Sequence, residues 1–276
     1  MQHAADDPRP DGRAEPLQGL QGRHILVTGA SRGIGRAIAA RLAGAGATLT
    51  LLARDPERLS ATAAELSAAA GTKVHPIPLD LTDGPAIGPA VAEAEARCGP
   101  LAGLVNNAGT GKSSPFLRMT DAHWQEMLAV NLTSAFALTR AVLPGMLERG
   151  DGRIVNVAST AGLTGYGYVA AYCAAKHGLV GLTRALAVEV ARKGVTVNAV
   201  CPGYTATDML DATLDNIVGK TGRSREEALK TLVADNPQGR PVAPEEVAEA
   251  VAFLLSPAAA AVNGVCLPVD GGEVLK

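Results

Sequence analysis

Aromatic residues and net charge are what this chain of 276 residues has least of. Phe, Trp and Tyr together make up 3% of it, and 25 basic against 27 acidic side chains leave a formal charge of −2. Proteins that bind nucleic acid need a basic field and commonly stack bases on aromatic rings. The composition therefore predicts a protein with no nucleic-acid partner.

Cysteine is also scarce, and long apolar runs are missing. Cys98, Cys173, Cys201 and Cys266 are scattered without a Cys-x-x-Cys pair, so we expect reduced thiols in a cytoplasmic protein and no metal site. No stretch reaches the ~18 apolar residues of a membrane span, and we expect no membrane partner. Residues 1–22 are polar and predict a mobile N-terminal extension, neither a signal nor a transit peptide.

Short apolar runs alternate with helical patterns along the rest of the chain. Strands are predicted at 24–28, 48–53, 74–79, 101–106, 153–158, 195–200 and 265–269, and helices at 33–45, 56–70, 121–147, 170–192 and 245–255. The third of these helical stretches is expected to form two helices, with interruptions near Val130 and Pro144. Val, Ile and Leu in strands separated by helices predict a parallel sheet covered on both faces.

The crossover rule then predicts an α/β, doubly wound, Rossmann-like three-layer sandwich with a seven-stranded parallel sheet. We expect residues 23–276 to form one Rossmann-fold domain. Residues 205–236 interrupt the alternation with two helical stretches, Asp208–Val218 and Arg225–Asp235. This insertion predicts a helical lid over a substrate site.

A tyrosine and a lysine four residues apart carry the strongest chemical signal. Tyr172 and Lys176 share one face of a predicted helix, whereas none of the other tyrosines has a cation four residues on. An adjacent ammonium group favours the phenolate, so we expect the pKa of Tyr172 to lie below its reference value near ~10. Such a phenol could exchange a proton with an alcohol or ketone oxygen.

A glycine-rich turn predicts the nucleotide site. The stretch Thr28-Gly29-Ala30-Ser31-Arg32-Gly33-Ile34-Gly35 follows the first strand and opens the first helix. Glycines there permit a tight turn and a close approach of the backbone to a pyrophosphate, and the helix N-terminus offers free N–H groups.

Charge at the end of the second strand indicates which dinucleotide binds. The position expected to hold an acidic residue against the ribose is Ala53, followed by Arg54, and Arg32 lies in the turn. Two guanidinium groups could hold a 2′-phosphate, which favours NADP(H). Asp55 lies nearby, however, and Arg54 could be a solvated charge. Asp80-Leu81 resembles the adenine contact of a known family of dinucleotide-binding proteins, or Asp80 could cap a helix together with Thr82.

These motifs together resemble the classical short-chain dehydrogenase/reductase family over residues 22–272. Asn106-Asn107-Ala108-Gly109 matches the family's Asn-Asn-Ala-Gly, and Pro202-Gly203 with Thr207 matches the segment over the nicotinamide. The resemblance implies that Tyr172 donates the proton, Lys176 tunes it, Ser159 polarises the carbonyl and Asn131 anchors a water relay. It implies a cofactor site made of Gly29, Ser31, Arg32, Gly33, Ile34, Gly35, Arg54, Asp80, Leu81, Asn107, Ala108, Gly109, Tyr172, Lys176, Pro202, Gly203, Thr205 and Thr207.

The whole pattern is similar to 3-oxoacyl-thioester reductases and polyketide ketoreductases within that family. It implies NADPH-dependent reduction of a ketone, such as a 3-oxoacyl thioester on coenzyme A or a carrier protein. A dehydrogenase of another secondary alcohol and a non-catalytic NADP(H)-binding regulator remain as alternatives. The helices at 121–149 and 170–192 resemble the family's association surfaces, which implies a homodimer or homotetramer.

Overall fold

The predicted strands pair into one parallel sheet in the computed structural model, which describes residues 18–275. They are β1 (His24–Thr28), β2 (Thr48–Ala53), β3 (Val74–Pro78), β4 (Leu101–Asn106), β5 (Gly152–Val157), β6 (Val195–Pro202) and β7 (Cys266–Val269). Their spatial order, β3-β2-β1-β4-β5-β6-β7, confirms the doubly wound Rossmann-like fold. The strand order reverses between β1 and β4, where such sheets bind ligands.

Helices cover both faces of the sheet, as predicted. They are α1 (Gly33–Gly44), α2 (Pro56–Ala70), α3 (Gly84–Cys98), α4 (Asp121–Leu128), α5 (Ser134–Arg149), α6 (Ala170–Val190), α7 (Asp208–Thr221), α8 (Arg225–Leu232) and α9 (Pro244–Leu255). Successive residues of a strand point to opposite faces. Accordingly, Ile25 and Val27 of β1 pack with α1, α2 and α9, and Leu26 packs with α3, α5 and α6.

Helix α3 is missing from the sequence prediction. Two glycines and two prolines hide it, but the buried residues Ile87, Ala90, Val91 and Ala94 follow helical spacing. Pro85 lies in the first turn, where its missing N–H costs nothing. The parallel pairing of β1 with β4 requires a crossover of this kind between β3 and β4.

The helical stretch after β4 confirms the predicted interruption near Val130 but not the one near Pro144. The interruption near Val130 is a single π-helical turn, Ala129–Thr133, whereas Pro144 lies inside α5 without ending it. Pro144 is exposed, so water can reach the carbonyl that loses its helical partner. The run Asp121–Arg149 is also long and apolar enough to cross a membrane by length and composition alone, with 39% of its most apolar window buried. It joins β4 to β5, which pair directly, so it lies in the helix layer of the sheet.

The N-terminal boundary also differs from the prediction. Leu20 was assigned to the mobile extension, yet it is fully buried in the cluster beneath α1 and α9. Gly22 N–H donates to the Gly46 carbonyl at 2.8 Å, which ties this segment to the start of β2. The folded body therefore begins before residue 23, and residues 1–17 lie outside the described residues.

Helices α7 and α8 occupy the predicted lid segment. They pack on each other through a small cluster of their own, built on Leu210, Leu214 and Ala228. This cluster is separate from those that bury the sheet. Short helices with a small separate core are typical of segments that open locally.

Candidate active site

The glycine turn lies at the carboxyl end of β1, where close packing explains its glycines. Gly29 and Gly33 have φ values of +65° and +53°, which side-chain-bearing residues rarely adopt. A Cβ on Gly35 would lie 2.2 Å from the Gly29 carbonyl oxygen and 2.5 Å from Asn107 Nδ2. Helix α1 therefore abuts the turn and the end of β4.

Hydrogen bonds from Thr28 fasten the turn to the segment after β4. Its Oγ1 accepts from the backbone N–H groups of Asn107 and Ala108, both at 2.9 Å. Asn107 Nδ2 donates to the Thr28 carbonyl at 2.9 Å. Asn106 instead faces the interior, where its Nδ2 donates to Asn156 Oδ1 at 2.9 Å. Sequence reasoning missed Thr28, although its place directly before the glycine turn was the available signal.

The N-terminus of α1 is built to receive an anion. Its N-cap residue, Arg32, makes no side-chain capping hydrogen bond, and no acidic residue lies in the first turn. The free N–H groups and the helix dipole therefore point at the carboxyl edge of the sheet. Ser31 is half-buried beside them, and Ile34 packs partly against the core.

Arginines surround the carboxyl end of β2. Ala53 is buried there and Arg54 is exposed. Asp55 is engaged as the N-cap of α2, accepting from the Arg58 N–H at 3.0 Å. The Arg58 guanidinium approaches Asp208 at 4.0 Å, and Arg32 pairs with the same carboxylate at 3.2 Å. Arg58 was missed from sequence; its place in the first turn of the helix after β2 was the signal.

Asp80 and Leu81 follow β3 at the same edge. Asp80 Oδ1 accepts from the Thr82 N–H at 2.9 Å and from its hydroxyl at 2.8 Å, which lowers the carboxyl pKa. Asp80 therefore closes a turn with Thr82, while Asp83 is the N-cap of α3. Arg54 is close enough to lower the Asp80 pKa further, and Leu81 is buried nearby.

On the other side of β4, the π turn places Asn131 next to Lys176. The buried Asn131 side chain donates to the carbonyls of Thr110 and Met127, both at 2.9 Å, and accepts from the Thr110 N–H. A Cβ on Gly109 would lie 2.9 Å from Asn131 Oδ1 and 3.6 Å from Lys176 Nζ. Gly109 thus keeps open the space between amide and ammonium group. Isolated π turns are frequent at functional sites.

Ser159 and Tyr172 form a pair of hydroxyl groups beyond the end of β5. Ser159 caps the short helix that follows it, and the nearby Ser159 hydroxyl lowers the phenol's pKa. Burial has the larger and opposite effect, raising the pKa of Tyr172 to about 12. A raised pKa keeps the phenol protonated at neutral pH.

The prediction that Lys176 depresses the Tyr172 pKa is wrong for this structure. The Lys176 Nζ atom lies 5.6 Å from the centroid of the Tyr172 ring and donates to the Val157 carbonyl at 2.9 Å. Burial lowers the pKa of Lys176 itself to about 8. The lysine is thus held beneath the tyrosine ring by the last residue of β5.

The segment after β6, residues 203–207, lies against the glycine turn. Thr205 Oγ1 donates to the Gly203 carbonyl at 3.0 Å, and Thr207 Oγ1 donates to the Thr205 carbonyl at 3.2 Å. A Cβ on Gly33 would lie 3.2 Å from the Thr207 methyl group, so this segment touches the glycine turn. Pro202 ends β6 opposite Val269 of β7. Within residues 18–275, no group of three His, Cys, Asp or Glu side chains is placed to hold a metal ion.

Fold and site together define a dinucleotide-dependent oxidoreductase, and the chain belongs to the short-chain dehydrogenase family. The model of that family, described as short chain dehydrogenase, matches residues 23–217.

Individual relatives match almost the whole chain. A Streptomyces coelicolor protein provisionally named a ketoacyl reductase is 45% identical over 90% of this chain and 95% of its own length. The 3-oxoacyl-(acyl-carrier-protein) reductase FabG of Aquifex aeolicus is 40% identical over 92% of this chain and 98% of its own length. The crystal structure of a Phe-to-Trp variant of the actinorhodin polyketide ketoreductase with NADPH has 44% identity and a TM-score of 0.87, covering 91% of this chain and 97% of that one.

Proposed function

We propose that this protein reduces a ketone to a secondary alcohol with NADPH, and that the ketone is a 3-oxoacyl thioester or a related β-ketone. The observation that carries the proposal is the hydroxyl pair Ser159–Tyr172, backed by Lys176 and Asn131, at the carboxyl edge of the sheet. The names of the relatives favour the 3-oxoacyl class. Fold alone does not specify substrate.

The residues present fit a dinucleotide with a 2′-phosphate. The uncapped N-terminus of α1 and the open glycine turn would hold its pyrophosphate. Arg54 would meet the 2′-phosphate, and Arg32 and Arg58 would join it by exchanging their exposed contact with Asp208 for the phosphate. Asp80 and Leu81 would flank the adenine, and the segment from Pro202 to Thr207 would cover the nicotinamide. When bound, NADPH supplies the hydride.

The side chains of the protein supply the rest of the reaction. Ser159 and Tyr172 would both donate hydrogen bonds to one carbonyl oxygen, which would stabilise the negative charge that develops there. The protonated Tyr172 then gives its proton to that oxygen. Lys176 lies below the ring with Asn131 beyond it, so a water held between them could return a proton to the phenol.

Replacing the phenol tests this assignment directly. Tyr172→Phe should lower kcat by ~10²–10⁴-fold, the range of a proton-transfer contribution, and leave the Kd for NADPH largely unchanged. The measurement follows NADPH oxidation with acetoacetyl-CoA, ethyl acetoacetate, small diketones and a sterol panel. The matched control Tyr168→Phe should stay within about twofold, because Tyr168 is 71% exposed at the protein surface.

Each outcome of the panel has a meaning. Retained activity in Tyr172→Phe contradicts the assignment of the proton donor. Turnover of sterols or hydroxy compounds alone would make the enzyme a dehydrogenase of another secondary alcohol. If no ketone oxidises NADPH, a non-catalytic NADP(H)-binding regulator becomes the better interpretation.

Cofactor preference is a second test, because it depends on charge. We expect kcat/KM with NADPH to exceed that with NADH. Arg54→Gln should lower the NADPH value by about 10–100-fold, as expected for a lost contact with a charged group, and leave the NADH value almost unchanged. Arg192→Gln removes one charge at the opposite end of the sheet and serves as the control. A clear preference for NADH would refute the proposal.

We propose further that the protein works as a homodimer or homotetramer in the cytoplasm. Apolar side chains are exposed on the helices expected to associate, with Trp124 and Phe136 on α4 and α5 and Val188 on α6. Cys98, Cys173, Cys201 and Cys266 are free thiols, which suits a reducing compartment. Light scattering of the purified protein tests the oligomeric state, and cell fractionation tests the location.

A further inference from the structure

A buried carboxyl group near the C-terminus contacts both the loop after β5 and the segment after β6. Glu273 is 8% exposed and begins the short helix after β7. One of its oxygens accepts a hydrogen bond from the Tyr166 phenol. The other oxygen lies against the segment after β6, since a Cβ on Gly203 would be 2.7 Å from it. Glu273 thus joins the loop that carries Ser159 to the segment that covers the site.

Tyr166 connects this carboxyl group to the reacting residues. Its phenol is 2.9 Å from the Thr160 hydroxyl, and Thr160 follows Ser159 in the chain. The Tyr166 ring packs edge-on against Tyr204, with centroids 6.3 Å apart and planes at 77°. Tyr204 in turn is close enough to affect the pKa of Tyr172. Two phenols therefore separate Glu273 from the proposed proton donor.

The surroundings of Glu273 are acidic. Burial raises its pKa most, Asp270 and Asp235 raise it further, and the hydrogen bond from Tyr166 lowers it. Asp270 accepts from the N–H groups of Gly272 and Val274 at 2.9 and 3.0 Å, which fixes its carboxyl group beside the start of the short helix. In the described part of the chain, no cation pairs with the Glu273 carboxyl group. The acidic groups around Glu273 therefore disfavour the approach of a further negative charge, such as that of a substrate carboxylate.

We propose that Glu273 is a positioning residue for the substrate, because it fixes Tyr166 beside the loop that carries Ser159. Its negative charge would also make the enzyme select uncharged β-ketones over β-keto acids. This inference rests on the proposed function and narrows its substrate class to thioesters, esters and neutral ketones. Like charges that approach in a poorly solvated site repel each other strongly.

The test compares ethyl acetoacetate with acetoacetate, which differ in the charge next to the ketone. Glu273→Gln keeps an oxygen that can accept from Tyr166 but carries no charge. Glu273→Leu and Tyr166→Phe each remove the hydrogen bond. For every variant, kcat and KM are measured with both substrates, the Kd for NADPH by fluorescence titration, and folding by thermal melting.

The expected pattern separates positioning from selection. Glu273→Gln should keep the ester kcat/KM within about threefold, and the ester-to-acid ratio should fall by about tenfold because one close charge repulsion is lost. Glu273→Leu and Tyr166→Phe should each lower the ester kcat/KM by about tenfold, as for a hydrogen bond to a charged group, mainly through KM. The double variant should be no worse than either single variant, because both changes remove one contact. The Kd for NADPH should stay unchanged throughout.

A pH series adds a readout that a purely structural role would not move. Acetoacetate stays ionised above about pH 5. Wild-type selectivity for the ester should therefore rise as pH increases through the raised pKa of Glu273, where the carboxyl group becomes charged among Asp235, Asp270, Tyr166 and Tyr204. The ratio should stay flat in Glu273→Gln.

The assay outcomes that contradict this inference differ from those that contradict the proposed function. If wild-type protein reduces no ketone at all, the proposed function fails. If it reduces the ester but Glu273→Leu and Tyr166→Phe stay within about twofold, or the effects of the two variants add, the positioning role is overturned. An unchanged ester-to-acid ratio in Glu273→Gln overturns the selection. Should Glu273→Leu melt too low for assay, Glu273→Gln and Tyr166→Phe still decide both points.

Discussion

Tyr172 and Lys176 show how burial, more than a neighbouring charge, sets the proton affinity of a side chain. The spacing of Tyr172 and Lys176 places both on one helical face, and the structure brings them together. Their pKa values nevertheless depend on how much surrounding protein excludes water, which spacing does not encode. Burial outweighs the attraction between cation and phenolate. It raises the Tyr172 pKa to about 12 and lowers that of Lys176 to about 8.

Lys176 should therefore reduce the stability of the folded protein at neutral pH. Its folded pKa, about 8, lies below the ordinary lysine value of 10.5, so the unfolded chain binds more protons between those values. The loss of folding free energy caused by burying the charged Lys176 is fully present below pH 8 and disappears as pH rises toward 10.5. Lys176→Met should raise the free energy of unfolding at pH 7 by on the order of 1–3 kcal/mol while abolishing reduction.

Urea unfolding at pH 7 and near pH 10 checks this prediction. The advantage of Lys176→Met over wild type should shrink at the higher pH. Lys193→Met, which replaces an exposed lysine before β6, serves as the control and should change stability little at either pH. If the methionine variant is less stable than wild type at pH 7, the ammonium group does not carry a burial cost.

At the level of elements, the errors of sequence reasoning have local causes. Helix α3 was missed because Gly84, Pro85, Gly88 and Pro89 are typical of loops and mask the helical spacing of the buried residues. Pro144 was expected to break a helix, but an exposed carbonyl can bond to water instead. The interruption near Val130 was found, yet its form as a π turn that aims Asn131 inward depends on contacts with Thr110 and Met127.

Helix α1 offers a matched pair of glycines that tests its contact with the glycine turn. In Gly35→Ala the new Cβ would lie 2.2 Å from the Gly29 carbonyl oxygen, so the helix must shift. We expect a loss of about 1–3 kcal/mol of stability and much weaker NADPH binding. A Cβ on Gly44 would have nothing within 4 Å of it. Gly44→Ala should therefore be neutral or stabilise by up to ~1 kcal/mol.

Denaturant unfolding and NADPH titration of both variants provide the measurement. Comparable stability and affinity in the two variants would show that α1 does not need the close approach at Gly35. Reduced affinity in Gly44→Ala would show that substitution in this helix acts by some route other than the contact at the turn.

At the level of the whole molecule, the doubly wound parallel sheet could be predicted, but the contacts of remote segments could not. Alternating strands and helices suffice to predict the doubly wound sheet. Leu20 fell within the predicted mobile extension because residues 1–22 are polar and lack an apolar run, although it packs in the cluster beneath α1 and α9. The contact of Glu273 with Tyr166 joins residues 107 positions apart, and no local pattern indicates it.

The lid gives the last prediction, because its attachment to the body is weak. Helices α7 and α8 share a small core of their own, and exposed contacts hold them to the body, including Arg32 with Asp208 and Asn216 with Ser113. Such contacts contribute little, so amides at 208–232 should exchange hydrogen much faster than those of β5.

Saturating NADP⁺ should slow exchange in the lid by at least about tenfold, since a ligand stabilises the state that binds it and Thr207 lies over the glycine turn. The amides at 152–157 in β5 serve as the control. They exchange only when the sheet opens, so NADP⁺ should slow their exchange much less than it slows exchange in the lid. Lid amides as slow as those of β5 before NADP⁺ is added would show that this segment does not open separately from the sheet.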